Sequence, residues 1–111
     1  MRDDEGMKHF LLVYDYVTDY LDRRTPYRPA HFALAQAAAE RGELFLGGAC
    51  TDAGTPIAVL VFKVADRSVI EQFVKADPYV ANGIVTRWQI REWTTVLGRD
   101  AITPAPPAPK A

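Results

Sequence analysis

The run at 57–64, IAVLVFKV, is apolar at every position but Lys63. A strand points successive side chains to opposite faces, so a strand apolar on both needs cover on both. That one demand excludes a sheet with a wet face and sets the terms for the rest of the chain. The turn residues Asp52-Ala53-Gly54-Thr55-Pro56 precede it, and ELFLGGACT at 43–51 comes before them, so 43–64 reads as a hairpin. The Gly47-Gly48 pair marks a bulge or the close approach of another chain.

KHFLLVYDY at 8–16 places Phe10, Leu12, Tyr14 and Tyr16 on one side and His9, Leu11, Val13 and Asp15 on the other, a second strand with two largely apolar faces. Residues 17–27, rich in Asp, Arg and Thr, read as a loop. Pro29, the Ala-rich stretch after it and Gly42 predict a helix over 29–41. Asp66 or Ser68 caps a second helix, in which Val69, Ile70, Phe73 and Val74 recur at helical spacing until Asp77-Pro78 disturbs it. After Asn82-Gly83 a final strand runs over 84–97. The order strand, helix, strand, strand, helix, strand predicts an α+β, ferredoxin-like βαββαβ fold: a four-stranded antiparallel sheet with two helices on one face. Right-handed crossovers put the first strand beside the third and fourth. One chain then covers a single face, and a second copy is expected to cover the other, giving a homodimeric α+β barrel able to assemble further.

The chain has 111 residues, enough for one domain, expected at 7–97. Residues 1–6 read as a mobile leader and 98–111 as a mobile Pro/Ala-rich tail. A formal charge of -1 leaves no footprint for nucleic acid or an anionic membrane, and the third strand lacks the basic-Gly-aromatic pattern of RNA-recognition domains. No apolar run approaches the roughly 18 residues of a membrane span. A lone cysteine, Cys50, forms no internal disulfide and reads as a buried small hydrophobe, so a reducing, cytoplasmic setting is expected. Two histidines without clustered ligand spacing predict no metal site, and no cofactor is expected.

Two side chains are placed for chemistry. His31 stands near the start of the first helix and Asp77 at the end of the second, and the topology brings those ends to one edge of the sheet. Asp77 can hold one ring nitrogen of His31, leaving the other to act as a general base. Arg28 can grip an anionic group by paired hydrogen bonds, and Tyr79 can contribute a phenol. The expected ligand is a small molecule. Each residue also has a plainer use: His31 as a half-buried polar residue, Asp77 as a helix cap, Arg28 in an ion pair. His9, Trp88 and Trp93 read as packing residues.

The residues now in place carry a resemblance. Over about 7–97 the chain resembles the YciI-like family of small dimeric α+β barrel proteins. It shares the opening apolar strand, Arg28-Pro29-Ala30-His31, Glu40-Arg41-Gly42-Glu43-Leu44 followed by Gly47-Gly48, Asp77-Pro78-Tyr79 and a terminal strand with Trp93. The resemblance implies a ferredoxin-like subunit, face-to-face dimers and an active site on His31 and Asp77. Family members are mostly of unassigned function, and dehydrochlorination of chlorinated hydroxyquinols is known within the group, so the family implies a site more firmly than a reaction. Where many relatives carry Gly-Pro after the second strand, this chain has Gly48-Ala49-Cys50.

Overall fold

Alternation in β1 (Lys8–Tyr16) decides which side of the sheet becomes the core. Phe10, Leu12, Tyr14 and Tyr16 are buried, whereas Leu11, Val13 and Asp15 are half-buried. The computed structural model describes residues 6–104; the expected mobile leader therefore falls almost entirely, and the tail beyond 104 wholly, outside the described residues. Strands β2 (Leu44–Cys50), β3 (Ile57–Val64) and β4 (Val85–Trp93) join β1 in one sheet of order β2-β3-β1-β4. Every pairing is antiparallel, with Leu12 opposite both Leu60 and Ile90. This is the ferredoxin-like plan expected from the order of elements.

Two main helices cover the face carrying Leu12. Helix α2 (Arg28–Glu40) follows a short helix α1 (Tyr20–Arg23) and a 3-10 turn (Thr25–Tyr27). Its end is a Schellman motif: Gly42 N–H donates to Ala39 O and Glu43 N–H to Ala38 O, each at 3.0 Å, with Gly42 at φ 79°. Helix α3 (Ser68–Ala76) starts where Asp66 accepts from Ser68 N–H at 2.8 Å, and it buries Ile70, Phe73 and Val74. Phe73 meets Phe62 edge-on at 5.3 Å. Each fully buried side chain of this kind, Leu12 or Phe62, contributes about 1.5–3 kcal/mol by leaving water. The opposite face carries Leu11, Val13, Ile57, Val59 and Val61 half-buried, with none of the described helices over it.

Several boundaries differ from expectation. The loop at 17–27 is largely helical, because Tyr20 is buried against Tyr16 (ring centroids 4.6 Å apart, 10° between planes) and winds the chain around that contact. The β2 register shifts between Leu44 and Leu46, so the bulge falls at Phe45 and not at Gly47-Gly48. Phe45 turns there to stack on His9 at 6.1 Å. A Cβ on Gly47 would make ordinary contact with Leu60 of the same chain, 3.4 Å from its Cγ, and one on Gly48 would meet nothing within 4 Å. Strand β4 stops at Trp93, opposite His9 near the start of β1, and not at Leu97. Beyond it Thr95 Oγ1 lies 2.8 Å from His9 Nδ1 and accepts from Ile102 N–H, folding the chain back over the sheet end. Cys50 is exposed, not buried, because it sits on an edge strand on the face without helices.

Candidate functional site

Asp77 owes its position to the residue after it. Pro78 disfavours helical backbone at its predecessor, and Asp77 accordingly adopts φ -77°, ψ 117°, which ends α3. The chain restarts at once as α4 (Pro78–Ala81), with Pro78 in its first turn and Asp77 as its N-cap, accepting from Tyr79 N–H at 3.0 Å. The Asp-Pro pair thus opens a short further helix as well as ending α3, where the sequence analysis expected only the disturbance of one helix.

That cap is fully buried and has two further donors. Asp77 Oδ1 lies 2.8 Å from His31 Nδ1, and Oδ2 accepts from Tyr14 OH at 2.7 Å. Three elements therefore converge on one carboxylate: β1 through Tyr14, α2 through His31 and α4 through Tyr79. Both oxygens are engaged by protein donors. With Nδ1 committed to Asp77, Nε2 is the nitrogen left to His31 for a ligand. The imidazole lies flat on the Tyr79 ring, with centroids 3.8 Å apart and 4° between planes, so its orientation is fixed by a face contact as well as a hydrogen bond.

His31 and Tyr79 line a cleft of about 530 Å³ between α2 and the β2–β3 hairpin. Arg24, Arg28 and Tyr16 stand on its wall with them, and Phe32, Leu44 and Leu60 supply apolar surface. Arg28 lies with its guanidinium carbon 4.3 Å from the centre of the Phe32 ring. Burial pushes the Tyr16 and Tyr14 phenols well above the ordinary tyrosine range; for Tyr14 the neighbouring Asp77 carboxylate adds to it. Burial also raises Tyr79, opposed by the charges of Arg24 and Arg28. The Tyr79 hydroxyl is buried beside the Arg28 guanidinium, and its proton has no acceptor among the described residues.

The structure thus brings together all four residues singled out from sequence: His31 touches Asp77, and Arg28 and Tyr79 share the cleft with His31. Sequence reasoning missed Tyr14, Tyr16 and Arg24. Tyr14 was detectable, because a tyrosine on the core side of a strand needs a partner for its hydroxyl. Arg24 gave no such signal. Cys50 does not line the cleft, although Gly48 and Ala49 before it do. Among the described residues no group of three or more His, Cys, Asp or Glu converges as a metal site. None of the described helices is long and apolar enough to cross a membrane.

Comparison with known proteins places this geometry in a family. No curated protein matches the chain. Among solved structures, the chain is similar to the 5-chloro-2-hydroxyhydroquinone dehydrochlorinase TftG of Burkholderia phenoliruptrix, determined in complex with 2,5-dihydroxybenzoquinone. The TM-score is 0.67 at 19% sequence identity, covering 78% of this chain and 94% of that one, a likeness of fold. A model of the YCII-related domain matches residues 7–94, the span holding every strand, both main helices and the His31–Asp77 pair, and the chain belongs to that family.

Proposed function

We propose that this chain is a small-molecule enzyme working without metal or organic cofactor, in which His31 is the general base and Asp77 its positioning residue. The observation that carries this reading is the 2.8 Å contact between His31 Nδ1 and Asp77 on the wall of a ligand-sized cleft. Nε2 takes a proton from a cyclic or aromatic compound: from an acidic C–H, whose electron pair moves onto the adjacent carbonyl oxygen as an enolate, or from a phenolic O–H, which leaves a phenolate. Arg28 holds the anionic group of the substrate, and Tyr79 serves as a second polar contact. The enolate then re-forms its carbonyl by expelling a leaving group from the next carbon, an elimination, or by taking the proton back at another carbon, an isomerisation. The dehydrochlorinase named for the similar structure supports elimination as the class. Asp77 fits positioning rather than metal ligation, since both its oxygens already accept protein hydrogen bonds.

The test is halide or product release across a set of halogenated and hydroxylated rings, with His31→Ala beside the parent chain. Turnover is expected to vanish in His31→Ala while its thermal unfolding remains cooperative. Retained turnover removes His31 from the mechanism. A second reading, a binding or regulatory module that holds such a ring without converting it, draws on the capping role of Asp77, which gives the His–Asp contact a structural use. Saturable binding with no product across the set favours that reading.

The active form in either case is a homodimer joined through the face bearing Leu11, Val13, Val59 and Val61, whose apolar side chains none of the described helices covers. Higher assembly of such dimers is compatible with it, and the setting is cytoplasmic. Sedimentation as a monomer at micromolar concentration refutes the dimer.

A further inference from the structure

The two arginines of the cleft are linked by one chain of ring contacts, and the charges of both reach Tyr79 in the middle of it. Arg24 lies 5.4 Å from the Tyr20 ring centre; Tyr20 stacks on Tyr16; Tyr16 meets Tyr79 edge-on at 6.2 Å; Tyr79 stacks on His31. Phe32 follows at 5.9 Å from His31 and carries Arg28. Both guanidiniums are thus laid against aromatic faces and turned to one cleft. Neither forms an ion pair among the described residues, and no residue lining the cleft is acidic. Burial holds the Tyr16 and Tyr79 phenols neutral, so they offset neither charge. Asp77 carries one negative charge against two positive ones, and its oxygens are turned to Tyr14, His31 and Tyr79 N–H.

We infer that the cleft takes a planar ring bearing a carboxylate, with Arg24 and Arg28 together holding the carboxylate and the Tyr79 hydroxyl donating to it. The inference rests on the reading of this cleft as the ligand site and adds the substrate class. A carboxylate matches the guanidinium fork and supplies the countercharge that the cleft walls lack. It also answers the Tyr79 hydroxyl, which is buried with no acceptor for its proton although Arg24 and Arg28 are near enough to influence it. A guanidinium has only N–H donors, so neither arginine can receive the phenol proton; a carboxylate oxygen between them can. The ring portion fits beside the Phe32 ring and the aliphatic wall of Leu44 and Leu60. Arg24 is then a specificity-determining residue, contributed by the segment between β1 and α2.

The experiment compares two ring compounds by isothermal titration against the full chain: hydroquinone, and gentisate, which is hydroquinone with one carboxylate. Gentisate is expected to bind at least about tenfold more tightly, with an affinity that falls as salt rises while that of hydroquinone does not. Arg24→Ala and Arg28→Ala are each expected to remove most of that advantage, and Arg24→Lys to restore only part of it. Thermal unfolding of each variant establishes that it folds. Equal affinity for the two rings, an unchanged preference in Arg24→Ala, displacement of gentisate by millimolar inorganic phosphate, or binding of neither ring overturns the inference. Failure here is separable from failure of the catalytic reading. Turnover of uncharged rings by His31 with no carboxylate preference sinks the clamp alone, whereas tight gentisate binding with no turnover of any ring sinks the catalysis alone.

Discussion

Removing the Asp77 side chain tests whether one carboxylate ties three elements together. In Asp77→Ala three donors lose their acceptor: His31 Nδ1–H at 2.8 Å, Tyr79 N–H at 3.0 Å and Tyr14 O–H at 2.7 Å. A buried donor left unsatisfied costs about 1–3 kcal/mol. The Tyr14 hydroxyl can rotate, and His31 borders the cleft and can reach water, so the lower half of the summed range applies, about 3–6 kcal/mol. Domains of this size have roughly 5–15 kcal/mol in all, and the variant should sit near the edge of folding. Asp77→Asn separates shape from charge. Its amide oxygen can take the place of Oδ1 and accept from both His31 and Tyr79, while its NH2 donates to a reoriented Tyr14 hydroxyl. The hydrogen bonds survive without ionic assistance, at a cost of about 1–2 kcal/mol. Urea unfolding followed by far-UV circular dichroism and by tryptophan fluorescence measures both values. Protein concentration is held fixed, because dimerisation would otherwise alter apparent stability. A loss below about 1 kcal/mol in Asp77→Ala, or equal losses in the two variants, refutes the account of Asp77 as a shared buried acceptor.

Three further outcomes follow from the structure. Burial, reinforced by Lys63, holds the His9 imidazole below its ordinary value of 6.5, against an opposing pull from Asp100. The unfolded chain then binds the extra proton first, so His9 contributes stability that is present above 6.5 and is lost as pH falls from there through the lowered native value. The wild-type stability should drop over that window relative to His9→Gln, and parallel pH profiles of the two contradict it. Gly42→Ala, at φ 79° in the Schellman turn, should cost about 1 kcal/mol by urea unfolding, with a neutral result arguing against the left-handed cap. Val59→Lys, on the face without helices, should give a monomer by sedimentation equilibrium while leaving ring binding in the cleft of the same fold; a persistent dimer places the interface elsewhere.

What the sequence disclosed depended on whether the controlling contact was local or recurrent. The strands were legible because Phe10, Leu12, Tyr14 and Tyr16 alternate with Leu11, Val13 and Asp15, and that period survives folding unchanged. The ends of α2 were legible to within a residue, since Pro29 and Gly42 act through their own backbone. The helix α1 was not, because Tyr20 is held by Tyr16 across the loop, a contact that no local propensity announces. Cys50 was misplaced for a similar reason: small apolar residues are usually buried, but an edge strand turned away from the helices leaves this one exposed. The tip of β4 was read too long because Thr94 and Thr95 suit a strand. The hydroxyl of Thr95 is used instead to hold the returning chain and His9. The candidate site was legible in part. His31 and Asp77 were reachable by topology, whereas Arg24 depended on the unforeseen helix that carries it to the cleft.

The precision of the site follows from how unequally its two central residues are fixed. Asp77 is set by its nearest neighbours: Pro78 turns its backbone out of the helix, and the N–H of Tyr79, two residues on, orients its carboxylate. His31 has no local restraint of that kind and arrives on α2 from 46 residues earlier in the chain. Its ring is therefore aligned by partners on the other side of the fold, through the Asp77 hydrogen bond at its edge and the Tyr79 ring on its face. Both restraints come from one tripeptide, Asp77-Pro78-Tyr79. A change that moves this tripeptide should shift the hydrogen bond and the stack together, whereas a change in α2 alone moves the imidazole against an acceptor that stays in place. Pro78→Ala separates the cases: it restores helical freedom to Asp77 while leaving each contacting side chain chemically intact. Its effect on ring affinity should therefore exceed its effect on stability. A Pro78→Ala chain that unfolds at lower urea yet binds its ring with unchanged affinity shows instead that the carboxylate is held by Tyr14 and His31, and that the cap merely follows.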